Sequence, residues 1–114
     1  MIFLQDVMKM QVKAESLDRK LTLRLSGELD HHAARPLMHR IAQEIELALP
    51  LEVVLDFSGV TFMDSSGIGL LMGRYRALGM RGKCVQVMNV NSHIAKLLRL
   101  SGVGRYIDIC KTQE

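Results

Sequence analysis

Residues 51–79 read LEVVLDFSGVTFMDSSGIGLLMGRYRALG, and the order of their parts decides the architecture. Leu51 to Phe57 is short, apolar and rich in β-branched residues, the pattern of a buried central strand. Ser58 to Met63 reads as a connection. Asp64-Ser65-Ser66-Gly67 is a helix-start signal, and the helix it opens runs to about Leu78 or Gly79. A strand feeding a helix in this way is half of a βαβ unit.

The flanks extend the same alternation. Upstream, Met8 to Ala14 alternates apolar and polar residues, as a half-buried strand does. Ser16-Leu17-Asp18-Arg19 reads as a turn, and Leu21, Leu23 and Leu25 mark a second strand that completes a hairpin and is expected to end at Gly27. Asp30 is the expected N-cap of a helix that reaches about Leu49, with Leu37, Met38, Ile41, Ile45 and Ala48 on its apolar face. Pro36 is expected to limit how far upstream that helix is regular, and Pro50 closes it. Downstream, Lys83 to Met88 is a strand, and Asn91 or Ser92 caps a third helix packed through Ile94, Leu97, Leu98 and Ser101. Gly102 is its C-terminal stop. Tyr106 to Ile109 makes a last edge strand. The predicted fold class is α/β, with element order β-β-α-β-α-β-α-β. A single domain over residues 1–114 is expected, its mixed sheet packed against helices.

Bulk properties fit one soluble domain. The chain has 114 residues, 48% of them hydrophobic and 24% charged, enough for a modest core. Aromatics are only 4% and Trp is absent, so Leu, Ile, Val and adaptable Met must fill the interior. A net charge of +3 spread over scattered Lys and Arg lacks the clustered footprint of nucleic-acid binding. Cys84 and Cys110 form no CxxC, which argues against both a zinc site and a disulfide framework. No apolar run has the length of a membrane span, so a cytoplasmic location without membrane association is expected.

Catalytic constellations are not legible. Asp30-His31-His32 holds metal-ligating residue types, but neighbouring residues point in different directions and a metal wants three or four convergent ligands. Ser65 and Ser66 lack a base and an orienting acid. Gly67-Ile68-Gly69 lacks the glycine spacing and strand context of a dinucleotide loop. No enzymatic activity, metal or cofactor is therefore expected.

The second helix carries more information. Stepping about 100° per residue from Ile68 collects Leu71, Met72, Tyr75, Leu78 and Gly79 into a core stripe. Ser66, Leu70, Gly73 and Ala77 fall opposite, on the expected solvent side. Small residues beside an exposed Leu suit a docking face. Ser65 and Ser66 sit where backbone N–H groups are unpaired and the helix dipole is positive. One of them is expected to be the N-cap, leaving the other hydroxyl spare. A phosphate there is compatible with the fold and adds about −1.5 to −2 charge to the surface.

Two segments resemble a known family. Phe62 to Tyr75, FMDSSGIGLLMGRY, is similar to the signature of bacterial anti-sigma factor antagonists, whose fold is the STAS domain. Gly27 to His32, GELDHH, resembles a second signature found in the sporulation branch that acts on sigma-F. Their spacing, and Ser101-Gly102 near the end, also fit, so the resemblance covers nearly the whole chain. It implies a partner-switching cycle. The unphosphorylated antagonist binds an anti-sigma factor that is also a serine kinase, and sigma is released. Phosphorylation of the first serine after the motif aspartate, Ser65 here, ends the binding, and a serine phosphatase resets it. On that reading Asp64 and Ser66 shape the loop. Asp30 and the second-helix face, with Gly69, Leu70 and Gly73, meet the kinase, and the protein is a monomer. The alternative is a STAS protein of another partner-switching pathway, in stress response or signalling. Members of the sporulation branch often carry a further C-terminal helix, whereas this sequence stops at Lys111-Thr112-Gln113-Glu114.

Overall fold

The hairpin is tighter than the turn residues suggest. In the computed structural model, which describes residues 10–82 and 84–110, β1 (Gln11–Leu17) and β2 (Lys20–Leu29) pair antiparallel, with Leu17 opposite Lys20. Only Asp18 and Arg19 separate them. Both have positive φ, 54° and 65°, the two-residue loop whose twist matches that of the flanking strands. The first strand therefore lies further along the chain than Met8–Ala14, and Met8 and Lys9 fall outside the described residues.

The elements that follow are α1 (His31–Ala48), β3 (Glu52–Met63), α2 (Ser65–Ala77), β4 (Val85–Met88), α3 (Ser92–Ser101), a 3₁₀ turn (Val103–Arg105) and β5 (Asp108–Cys110). The sheet order is β1-β2-β3-β4-β5, and every pairing after the first is parallel. Right-handed crossovers that all step to the next strand put their helices on one face. Burial follows that rule. Leu23 of β2, Leu55 of β3 and Val87 of β4 share one core with Ile41 of α1, Leu71 of α2 and Leu98 of α3. Side chains two apart share a face, so the register lays Lys13, Arg24, Asp56, Met88 and Cys110 in a row across the opposite side.

Two strands outrun their expected ends. β2 continues through Gly27 to Leu29, and β3 absorbs the expected connection and continues to Met63. Each supplies the other's partner: Ser26 faces Gly59, Gly27 faces Val60 and Leu29 faces Met63, with register shifts on either side of Ser26 and Gly27. A side chain at Gly59 would bring its Cβ to 2.6 Å from the Ser26 Cβ. Glycine here is what lets the strands stay close; it does not end them. Three smaller differences follow from local hydrogen bonding. Pro36 sits inside a helix that nevertheless runs from His31, at the cost of the helical bond its missing N–H would have made to the His32 carbonyl. The 3₁₀ turn ties the amides of Tyr106 and Ile107 to the Val103 carbonyl, both at 2.9 Å, which delays β5 to Asp108. Ser101, expected on the packed face, is exposed and turns its hydroxyl back on the Leu98 carbonyl. Lys83, the expected start of β4, lies outside the described residues.

Asp56 is a buried carboxylate, 6% exposed. It accepts from the Ser58 amide at 2.9 Å and from Asn89 at 3.0 Å, and pairs with Arg24 at 3.4 Å. Burial alone would raise its pKa. Hydrogen bonds from Asn89 and Ser58 and the Arg24 charge outweigh that, and the group is held below the ordinary carboxylate value. A depressed folded-state pKa contributes stability above the unfolded-state value, which is lost as pH falls through the folded one. Asp56→Ala should cost about 1–3 kcal/mol near neutral pH, since it removes a charge-assisted acceptor from the Ser58 amide and from half-buried Asn89. In urea titrations the gap to the parent should shrink below about pH 4. A gap independent of pH would assign the loss to packing.

Candidate functional site

The longest reach of β2 and β3 places two aspartates side by side. Leu29 and Met63 are paired across the strands, and the Asp64 amide donates to the Leu29 carbonyl at 3.3 Å. Each strand then turns directly into a helix. Asp30 caps α1 by accepting from the Ala33 amide at 2.9 Å, and Asp64 caps α2 by accepting from the Ser66 amide at 2.9 Å. Two helix N-termini thus open at the same end of the sheet. Apart from the capping carboxylates, neither has an acidic residue in its first turn, and the first-turn amides that the cap leaves unpaired still favour an anion.

This corrects the expectation that a serine caps the second helix. Asp64 does so, because its carboxylate reaches the second amide of the turn. Ser65 and Ser66 are the first two helical residues. Ser65 is exposed and Ser66 half-buried. Both hydroxyls are released from capping, and Ser65 presents the more open one.

The largest correction concerns Leu70. It was expected on the solvent side, yet it is 3% exposed and belongs to the core. The buried residues of α2 are Gly67, Leu70, Leu71 and Tyr75, with Ile68 and Met72 only half-buried. The buried stripe is turned by roughly 60° from one centred on Ile68 and Tyr75, counting 100° per residue. α1 packs against α2, and Leu70 lies in the seam between them beside Ala34 and Met38, which accounts for its burial. Gly79, placed in the stripe by the same reasoning, lies beyond the helix and is exposed with φ of 89°. Gly67 is held for close approach, since an added Cβ would collide with the Met63 side chain.

What remains on the outer face is Gly69 and Gly73, and at either position an added Cβ would meet nothing within 4 Å. A groove runs between the helices beside them. His31, His32, Arg35 and Met38 line it from α1, and Ser66, Gly69 and Leu70 from α2. Leu70 therefore forms groove floor as well as core. His31 and His32 meet edge to face with ring centroids 5.6 Å apart. Phe62, 41% exposed, stacks on His93 at 6.3 Å just before the Asp64 turn. Sequence reasoning missed the groove's α1 wall and this aromatic pair, because periodicity places residues on their own element and says nothing of which elements meet. Among the described residues, no group of three or more His, Cys, Asp or Glu side chains converges as metal ligands do. Nor is any described helix long and apolar enough to cross a membrane.

Comparison with known proteins fits this geometry. Residues 12–110 match the family described as "Mlab, STAS domain". The anti-sigma F factor antagonist of Paenibacillus polymyxa is 34% identical over 102 residues, covering 90% of this chain and 87% of that protein. The solved structure of the anti-sigma factor antagonist SpoIIAA in its unphosphorylated form superposes with a TM-score of 0.74 at 30% identity, over 91% of this chain and 90% of the other. The Bacillus cell fate determinant SpoIIAA in its phosphorylated form gives 0.67 at 30% identity, over 91% and 93% of the two chains. With its paired aspartate caps, parallel β2–β5 array and one-sided helices, this chain belongs to the STAS domain family.

Proposed function

We propose that the chain is an anti-sigma factor antagonist switched by phosphorylation of Ser65. Unphosphorylated, it binds a cytoplasmic anti-sigma factor that is also a serine kinase, and sigma is released. Phosphate on Ser65 ends the binding, and a serine phosphatase restores it. The domain acts as a monomer, by binding and without catalysis of its own. The observation that carries this reading is the division of labour at the α2 start: Asp64 caps the helix, leaving Ser65 exposed on a positive helix end. The relatives named for anti-sigma antagonism, one of them solved in a phosphorylated form, support it.

The docking surface is the outer face of α2, with Gly69 and Gly73 admitting a partner backbone and Asp30, Asp64 and Ser66 bordering it. The test is a pull-down from the source cell with unphosphorylated protein, scored for an ATP-binding kinase, followed by incubation with that kinase and ATP. Gly73→Glu should weaken kinase binding by about tenfold or more while costing under about 0.5 kcal/mol of stability, because its side chain enters open space. Unchanged affinity by calorimetry would move the docking surface off α2.

A further inference from the structure

Among the described residues, a second hollow shares no lining residue with the groove beside Ser65. It has a volume of 1260 Å³ and opens at the carboxyl ends of β4 and β5, against the middle of β3 and beside α3 and the 3₁₀ turn. Crevices outside the carboxyl ends of parallel strands are where α/β folds commonly hold ligands. Phe57, Val60, Val90, Ala95 and Ile109 give it apolar walls. Two glycines, Gly102 and Gly104, line it where side chains would otherwise intrude. Gly104 could accept a Cβ at ordinary contact distance, 3.8 Å from Ile109, so the backbone leaves this space unfilled.

Charge in the hollow is one-sided. Arg99 and Arg105 line it, and no Asp or Glu does among the described residues. The two arginines flank Gly102: the Gly102 amide bonds the Arg99 carbonyl, and the Arg105 guanidinium lies 3.6 Å from where a Gly102 Cβ would stand. Arg105 also packs on Tyr106, 5.8 Å from the ring centroid, which steadies its fork beside the opening. A largely apolar open cleft, edged by Ser58, Asn89, Asn91 and Ser92 and carrying guanidinium groups with no acid at its lining, is complementary to an amphiphile with an anionic head. Guanidinium pairs with the two oxygens of a carboxylate in a fork.

The geometry points to a binding site for a single-chain fatty acid, its alkyl tail against the half-buried Val90, Ala95 and Ile109 and its carboxylate held by Arg99 and Arg105. This is a second site, independent of the phosphoserine switch. The structure supplies a reporter for it. Cys110 lines the hollow and is half-buried, whereas Cys84 is 4% exposed in the core.

The full chain is titrated with dodecanoate below its micelle concentration, following Cys110 alkylation by iodoacetamide and backbone amide shifts. Binding should slow Cys110 labelling and shift amides of Ala95, Gly102 and Gly104, leaving Ser65 and Gly69 unmoved. Arg99→Gln/Arg105→Gln should weaken it by about tenfold or more, the loss expected when charge-assisted bonds are removed. Both positions are exposed, so this variant tests the site without touching the core. Ala95→Trp should fill the cleft and abolish protection. Dodecanol should bind at least about tenfold more weakly than dodecanoate. Equal binding of the alcohol, tighter binding of dodecyl phosphate, full protection by inorganic phosphate alone, or indifference to the double Arg variant would each overturn the assignment.

Discussion

Ser65→Asp should leave the domain folded and reduce its affinity for the kinase by more than about a hundredfold. The first half of that expectation follows from the α2 start. A carboxylate at the first helical residue faces a positive helix end, which favours it by about 0.3–1 kcal/mol. The cap stays intact because Asp64, and not a serine, accepts the Ser66 amide. Circular dichroism and the thermal midpoint should therefore match the parent. The second half follows from exposure. Ser65 lies outward on the proposed docking surface, and the neighbouring Asp64 carboxylate repels a new negative charge. A charge pushed toward the partner must be desolvated there, and a loss of about 3 kcal/mol is already more than a hundredfold in affinity. Phosphate, with about −1.5 to −2 charges, should act more strongly than Asp.

The same reasoning separates the neighbouring residues. Ser65→Ala should bind the kinase and resist phosphorylation. Ser66→Ala should still accept phosphate at Ser65 with little change in stability, whereas Asp64→Ala should cost about 1 kcal/mol as a lost cap. Thr61 is exposed, and its hydroxyl reaches the Gly27 carbonyl at 3.4 Å. Mass spectrometry after incubation with the kinase and ATP decides the matter. Phosphate on Ser66 or Thr61 with none on Ser65 would overturn the switch assignment.

Features set by a residue and its immediate neighbours were legible before the structure. Asp30 caps α1, Asn91 caps α3 by accepting from the Ile94 amide at 2.8 Å, and Gly102 ends α3 with a φ of 80°. Each answers to the backbone of one turn, and the amino acid type carries the signal. Features set by a second element were not legible. Gly27 looked like a strand end and Gly59 like part of a connection, yet they are where β2 and β3 press together. The partners of the Asp56 carboxylate, Arg24 and Asn89, come from β2 and the loop after β4, and no local pattern marks them. For the candidate site, Ser65 followed from motif and helix-start chemistry, whereas the groove wall of His31, His32 and Arg35 required knowing that α1 lies against α2.

Leu70 is where that distinction has its largest energetic consequence. Were α2 packed only on the sheet, Leu70 would face solvent and could be replaced freely. With α1 against its flank, Leu70 is 3% exposed, and Leu70→Ala should cost about 2–5 kcal/mol from lost transfer energy and the cavity left behind. At roughly 4–8 °C per kcal/mol for a domain near this size, the thermal midpoint should fall by at least about 10 °C. Leu70→Arg should be worse, because a guanidinium at this depth has no acidic partner lining the groove among the described residues. Any loss of kinase binding by Leu70→Arg would then report unfolding, so it cannot map the docking surface. Gly73→Glu, one turn further on and facing open space, is the change that separates the two effects. Differential scanning calorimetry of Leu70→Ala and Gly73→Glu side by side checks this. If the Leu70 midpoint drops by no more than the Gly73 one, α1 does not cover α2, and the outer face of the helix must be drawn to include Leu70.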